Sequence, residues 1–354
     1  METEFDQQGY EDAFKKSFDE KHAEFEKITN QKLIISLIGS VNAGKSKTIN
    51  VLTGIDYTEV KAHAGWTKEV SLYELNKGVY IADTPGLFDI NTDVSKKASD
   101  FVANSADIVL YFLNAGVGAT QHDKKAFEEI SSLGKQSLIV LNKIDSLEKN
   151  EVTDVINQVK KEFGIFPIPI SSKTGEGIEN LNNEIVKILE TNGKDLMFLK
   201  ISKFKEQSVK KWINAATATA FGIGALPIPG SDIVALSALQ TGLAFKIAYI
   251  YDIKPTKEDI MTLVAATVTG SIGKQIVRWG ITALKLAGWI PGAQLLEVAI
   301  SAIAATIAAS LTYAFGWASN AYYKSGMVLD LGEVGKIFKE KYEMYKRENE
   351  EAKA

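Results

Sequence analysis

From residue 33 onward, short apolar runs alternate with segments that are apolar at every third or fourth position. Ile34–Ile38, Val79–Ala82, Ile108–Leu113, Leu138–Leu141 and Phe166–Ile170 read as buried strands, each followed by a loop and a polar-faced helix. That alternation predicts an α/β domain: a mostly parallel, six-stranded sheet covered by helices on both faces. Lys68–Leu75 supplies the additional strand beside Val79, with Asn76-Lys77-Gly78 as the hairpin turn between them. Ahead of the sheet, Phe14, Phe18, Phe25 and Ile28 recur at helical spacing, leaving Lys15, Lys16, Asp19 and Glu20 outside the stripe. This predicts an amphipathic N-terminal helix.

After Asn192-Gly193 the pattern changes. A lysine-studded helix, Asp195–Trp212, leads into Ala215–Tyr323, which has few charges and much Ala, Gly, Ile and Leu. The final segment, Glu333–Lys353, is charged again, with Val334, Ile337, Phe338, Tyr342 and Tyr345 on one helical face. The expected layout is an N-terminal helix (1–30), an α/β domain (31–192) and an all-α domain (193–354). The N- and C-terminal helices are expected to pack on the all-α domain.

Composition narrows the chemistry. The 354 residues suit two domains. With 40 Lys+Arg against 44 Asp+Glu, wholesale coating of nucleic acid is not favoured, although local basic patches stay open. The absence of cysteine excludes disulfides, thiolate zinc sites, iron–sulfur clusters and cysteine catalysis. The first thirty residues alternate acids, lysines and phenylalanines, unlike a secretory signal, so a cytoplasmic chain is expected.

Gly39-Ser40-Val41-Asn42-Ala43-Gly44-Lys45-Ser46 follows a strand and precedes a helical run, Lys47–Leu52. It satisfies G-x-x-x-x-G-K-[ST] in the strand–loop–helix setting that the motif requires. Its backbone N–H groups converge on phosphate oxygens at a helix N-terminus. Lys45 is expected to reach the β- and γ-phosphates, and the Ser46 hydroxyl to ligate Mg²⁺. Asp83-Thr84-Pro85-Gly86 ends the third strand, placing Asp83 to hold the Mg²⁺ through a water and the Gly86 N–H to sense the γ-phosphate. Asn142-Lys143-Ile144-Asp145 ends another. The Asp145 carboxylate can accept from guanine N1–H and its exocyclic amine, a pair of donors that adenine lacks; such a site rejects the wrong base by roughly 10⁴–10⁵. Ser171-Ser172-Lys173 is placed to offer backbone N–H groups to the guanine carbonyl. Expected nucleotide contacts are therefore Gly39, Asn42, Ala43, Gly44, Lys45, Ser46, Lys47, Asp83, Gly86, Asn142, Lys143, Asp145, Ser171, Ser172 and Lys173.

The order and spacing of these motifs resemble the translation-factor-related P-loop GTPases, and within them the Era/TrmE-like group, over about Lys32 to Glu190. The resemblance implies GTP/GDP and Mg²⁺ as cofactors and GTP hydrolysis as the activity. In His63-Ala64-Gly65-Trp66-Thr67-Lys68-Glu69, which looks like that group's switch I, it makes Thr67 a Mg²⁺ ligand. His63 reads as a loop residue. Leu87 stands where Ras-like enzymes carry the water-orienting glutamine, and the only arginines, Arg278 and Arg347, lie far downstream. An arginine finger is worth about 10³–10⁵ in rate, so a substitute or slow turnover is implied. In TrmE-like enzymes the asparagine at the position of Asn42 helps hold K⁺. The resemblance thus implies K⁺ near Asn42 and face-to-face pairing of G domains, although the group often has Pro where this chain has Val41. Lys45, Thr67 and Asn42 are the residues it makes catalytic.

The helical region resembles the domain found in YcjF-like proteins and in bacterial GTPases that pair it with an Era-like G domain. Its layout also resembles that of immunity-related and dynamin-like GTPases, by architecture only. Val298–Tyr323 holds no charged residue and is long enough to span a bilayer, but Ala302, Ala304, Ala305, Ala308 and Ala309 alternate with hydroxyl residues. A buried bundle helix is the preferred reading, with peripheral or integral placement at a cytoplasmic membrane face kept open. Two Pro-Gly turns, Leu226–Gly230 and Trp289–Gly292, are either hairpin tips that dip into lipid or buried turns. The leading function is a GTP-hydrolysing switch whose helical domain engages membrane or itself. The alternatives are an Era-type RNA-associated factor using Lys200, Lys203, Lys205, Lys210 and Lys211, and a low-turnover regulator acting through a protein partner.

Overall fold

The computed structural model describes residues 7–56, 70–84, 92–225, 231–267 and 294–351. They form two compact units, Ile28–Lys205 and Met1–Lys27 with Glu206–Ala354.

In the first unit the strands are β1 (Leu33–Gly39), β2 (Ser71–Asn76), β3 (Val79–Asp83), β4 (Ile108–Asn114), β5 (Ser137–Asn142) and β6 (Ile168–Ile170). They lie in the order β2-β3-β1-β4-β5-β6. Only β2 is antiparallel to its neighbour; its ladder with β3 carries a register irregularity between Glu74 and Asn76, just before the turn at Gly78 (φ 81°). All residues of β1 are buried because helices cover both faces. Leu33, Ile35 and Leu37 join one core with Ile49, Leu181, Ile185 and Phe198. Ile34 and Ile38 join the other with Phe101, Phe127 and Val159. The two-residue period of the strand thus divides its side chains between two cores.

The helices of this unit are α2 (Lys45–Thr53), α3 (Thr92–Ser105), α4 (Gln121–Ser132), α5 (Lys149–Phe163), α6 (Ile178–Glu190) and α7 (Asp195–Ile201). The end of the sheet remote from the β1–α2 loop is pinned by an ion pair. Lys194 Nζ meets Asp107 Oδ1 at 2.6 Å and also donates to the Lys32 carbonyl, while Asp107 Oδ2 accepts from the Ile34 N–H.

Several expected elements differ in extent; β2 is described over Ser71–Asn76 against the expected Lys68–Leu75. The helix anticipated over Asp195–Trp212 is two helices, α7 and α8 (Lys205–Gly224), separated at an extended Ser202 (ψ 139°). The Ser202 hydroxyl donates to Asn182 Oδ1 at 2.6 Å and accepts from the Phe204 N–H, which stabilises the break. The last strand is shorter than Phe166–Ile170, and Phe166 is 61% exposed, its ring lying under the Lys160 ammonium.

The second unit contains α1 (Gln7–Thr29, as far as Lys27), most of α8, α9 (Ser231–Ile250), α10 (Lys257–Thr267), α11 (Gln294–Lys324) and α12 (Leu331–Glu351). Phe14 packs near Phe315, and Phe18 and Phe25 lie against Phe245, so the stripe of α1 is buried on α9 and α11. On α12, Val334, Phe338 and Tyr342 are buried, and the Tyr345 ring lies 4.8 Å from that of Tyr313 on α11. Ala304, Ala305, Ala308, Ala309, Ala314 and Ala318 are buried along α11. A side chain at Gly224 would come within 2.9 Å of Ala305 Cα, so small residues set the approach of α8 to α11. Among the described residues no helix is long and apolar enough to cross a membrane. The two Pro-Gly turns fall outside the described residues.

Candidate nucleotide site

The loop between β1 and α2 begins where the sheet permits no side chain. A Cβ at Gly39 (φ 142°) would stand 2.5 Å from the Phe112 carbonyl oxygen on β4. Asn42 (φ 67°) and Gly44 (φ 90°) are both left-handed, which curls the loop back over the N-terminus of α2. Gly44, the N-cap residue, has no side chain to cap that terminus, and the start of α2 faces the loop's hollow. Lys45 Nζ donates to the Gly39 and Ser40 carbonyls at 2.8 and 3.2 Å, spanning the hollow. Ala43 is buried, whereas Asn42 and Lys47 are exposed.

Asp83 ends β3, whose neighbour is β1. Its Oδ1 is buried and has no hydrogen-bond partner among the described residues. Burial raises its carboxyl above the ordinary range, against the pull of Lys45, and burial lowers the Lys45 ammonium, against the pull of Asp83. A buried carboxylate oxygen without a donor, beside an uncapped helix terminus, fits a divalent cation. Asp83 and the Ser46 hydroxyl are the described residues that would hold Mg²⁺, which in turn would neutralise phosphate charge. Thr84 fixes the start of the next loop through its hydroxyl bond to the Leu37 carbonyl at 3.0 Å. Thr67 and Gly86, expected to bind Mg²⁺ and the γ-phosphate, lie outside the described residues, as do His63 and Leu87.

Asn142, at the end of β5, is fully buried. Its Nδ2 donates to the Ala43 carbonyl at 2.8 Å and approaches Ser172 Oγ at 3.3 Å; its Oδ1 accepts from the N–H groups of Lys143 (2.8 Å) and Ser172 (3.1 Å). Its side chain therefore ties three loops together. Composition and spacing place Asn142 in the motif but do not reveal this role. The one local signal is Gly44, where a Cβ would stand 2.1 Å from Asn142 Nδ2.

Asp145 sits in a short 3-10 turn, Ile144–Ser146, entered through a left-handed Lys143 (φ 69°). Ser171 Oγ donates to Asp145 Oδ1 at 2.6 Å, and Lys173 Nζ lies 3.7 Å from Oδ2. The serine bond foremost, then a backbone bond and Lys173, hold the carboxyl below its usual range. The loop after β6 is folded on itself: Ser171 N–H bonds Glu176 O at 2.9 Å, and the Lys173 and Thr174 N–H groups reach Ser171 Oγ at 3.3 and 3.1 Å. The backbone donors expected to meet the guanine carbonyl thus have intramolecular partners. A bound base must share or displace the Ser172 and Lys173 bonds.

Residues 34–143 match the family described as 50S ribosome-binding GTPase, and residues 194–347 the domain of unknown function DUF697. The first unit is a P-loop GTPase domain. Over 192 residues the chain is 28% identical to GTPase Der of Geobacter metallireducens, covering 50% of this chain and 44% of that protein. Over 170 residues it is 28% identical to the probable GTP-binding protein EngB of Petrotoga mobilis, covering 45% and 87%. Over 170 residues it is also 28% identical to the tRNA modification GTPase MnmE of a Nostoc species, covering 45% and 35%. The chain spans less than half the length of its Der and MnmE relatives. Among solved structures, Aquifex aeolicus Era bound to GDP.AlF4- superposes with a TM-score of 0.36 at 24% identity, covering 45% of this chain and 57% of that one.

Proposed function

We propose that the chain is a Mg²⁺-dependent, GTP-binding and GTP-hydrolysing switch whose P-loop GTPase domain acts on a DUF697-type helical unit. The observation that carries this reading is the convergence of a phosphate loop whose helix starts at Gly44, a buried carboxylate oxygen at Asp83 lacking a hydrogen-bond donor among the described residues, and a carboxylate at Asp145 oriented by Ser171. All three lie at the carboxyl ends of adjacent or near-adjacent strands, where open α/β sheets bind ligands.

In this mechanism the α2 N-terminus and Lys45 gather the phosphates, and Ser46, with Asp83 through a water, would hold Mg²⁺. Asp145, oriented by Ser171, selects guanine. Thr67 would ligate Mg²⁺, and the Gly86 N–H senses the γ-phosphate. The exposed Asn42 side chain would help hold K⁺ when two G domains pair face to face, and the ion would supply the positive charge that an arginine supplies in other enzymes. The helical unit transmits the nucleotide state to a lipid surface or to a second copy. The test is steady-state GTP hydrolysis in K⁺ and in Na⁺ across a range of protein concentrations. The reading expects turnover that rises with protein concentration and is faster in K⁺. Equal rates in both salts remove the cation from the mechanism.

A further inference from the structure

Between α8 and α9 in the helical unit runs a cleft of about 420 Å³, within the roughly 300–1,000 Å³ of small-molecule sites. Its walls are the apolar faces of Ala215, Leu239 and Gly242, with Trp212 at one side and Lys21 and Lys246 reaching in from α1 and α9. The wall hydroxyl, that of Thr219, is turned back onto the Ala215 carbonyl at 3.0 Å, so it offers the cleft no donor. Among the described residues no acidic side chain lines it.

The two ammonium groups differ. Lys21 pairs with Glu24 at 2.7 Å. Lys246 has no ion pair among the described residues; its ammonium lies 5.6 Å from the centroid of the Trp212 ring. It is exposed although its neighbours Phe245 and Ile247 are buried, and it is the sole basic residue of α9. An apolar trough with a cation at its rim is complementary to an apolar chain ending in an anion. Trp212 adds a flat apolar surface beside that cation.

We propose that this cleft binds a single-chain anionic amphiphile, a free fatty-acid carboxylate, with its acyl chain along Ala215, Leu239 and Gly242 and its headgroup on Lys246. The site is independent of the nucleotide chemistry proposed above. It gives the helical unit a ligand of its own.

The test uses the full chain and a dansyl-labelled undecanoate probe, displaced by dodecanoate held below its micelle concentration. Dodecanoate is expected to displace the probe. Dodecanol, with the same chain and no charge, is expected to be at least about tenfold weaker, the loss of one charge-assisted contact. Lys246→Gln lies on an exposed position and is expected to weaken dodecanoate about tenfold while leaving dodecanol unchanged. Ala215→Leu, also at an exposed helical position, narrows the trough and is expected to abolish displacement by both, with unaltered thermal unfolding. The proposal is overturned if dodecanol matches dodecanoate, if Ala215→Leu binds as the parent does, or if the chain takes up anionic vesicles but no monomeric dodecanoate.

Discussion

Asn142 Nδ2 donates to the carbonyl of Ala43, 99 residues away in sequence, at 2.8 Å. That bond joins the loop proposed to read the base to the loop proposed to hold the phosphates. With the two bonds from Asn142 Oδ1 to the Lys143 and Ser172 N–H groups, it makes one buried amide the common anchor of three loops.

Asn142→Ala therefore removes partners from the Ala43 carbonyl and the Ser172 N–H at a fully buried position. The expected cost is about 2–3 kcal/mol of stability, the penalty for leaving buried polar groups unpaired. Guanine-nucleotide affinity falls as well, because phosphate and base loops lose their common register. Denaturant unfolding together with GDP titration checks both effects.

Asp83 carries an opposite balance. Its folded pKa is raised by burial, so the folded chain favours the neutral carboxyl. Stability from this group is fully present below the unfolded pKa and is lost as pH rises through the folded one. Wherever the carboxyl is ionised in the ligand-free protein, burial makes its charge unfavourable. Asp83→Asn is expected to raise the Tm of the nucleotide-free protein, by about 2–4 °C per kcal/mol recovered. The same change abolishes the Mg²⁺-dependent part of the thermal shift given by GDP. Thermal scans with and without Mg²⁺–GDP separate the two.

Much of this architecture was legible because strands covered on both faces are continuously apolar. Ile34–Ile38 and Ile108–Leu113 declare themselves without regard to their partners. The phosphate loop was legible for a related reason, since Gly39 (φ 142°) and Gly44 (φ 90°) hold backbone conformations that favour glycine. The break at Ser202 was not, because the bond that stabilises it comes from Asn182, twenty residues earlier, and a helical lysine pattern runs straight across it. The anchoring role of Asn142 was hidden for the same reason: its partners come from the β1–α2 and post-β6 loops. Local pattern identifies elements, and long-range polar contacts decide where they stop and which loops they hold together.

In the helical unit, Phe14 is fully buried near Phe315. Phe14→Ala leaves a cavity where α1 meets α11, with an expected loss of about 3–4 kcal/mol. Nucleotide affinity is expected to remain unchanged, since the nucleotide loops belong to the other compact unit. Limited proteolysis of α1 and GDP titration on the same variant check the two halves of this prediction.

The most direct test of guanine recognition is a nucleotide competition with Asp145→Asn. A carboxylate accepts from both guanine N1–H and its exocyclic amine. An asparagine accepts one bond and donates one, which matches the N1–H and C2 carbonyl of xanthine. The account predicts that the parent chain binds GDP far more tightly than XDP, and that Asp145→Asn reverses the preference by at least about tenfold in each direction. A variant that keeps its preference for GDP, or a parent that binds ADP as well as GDP, contradicts it.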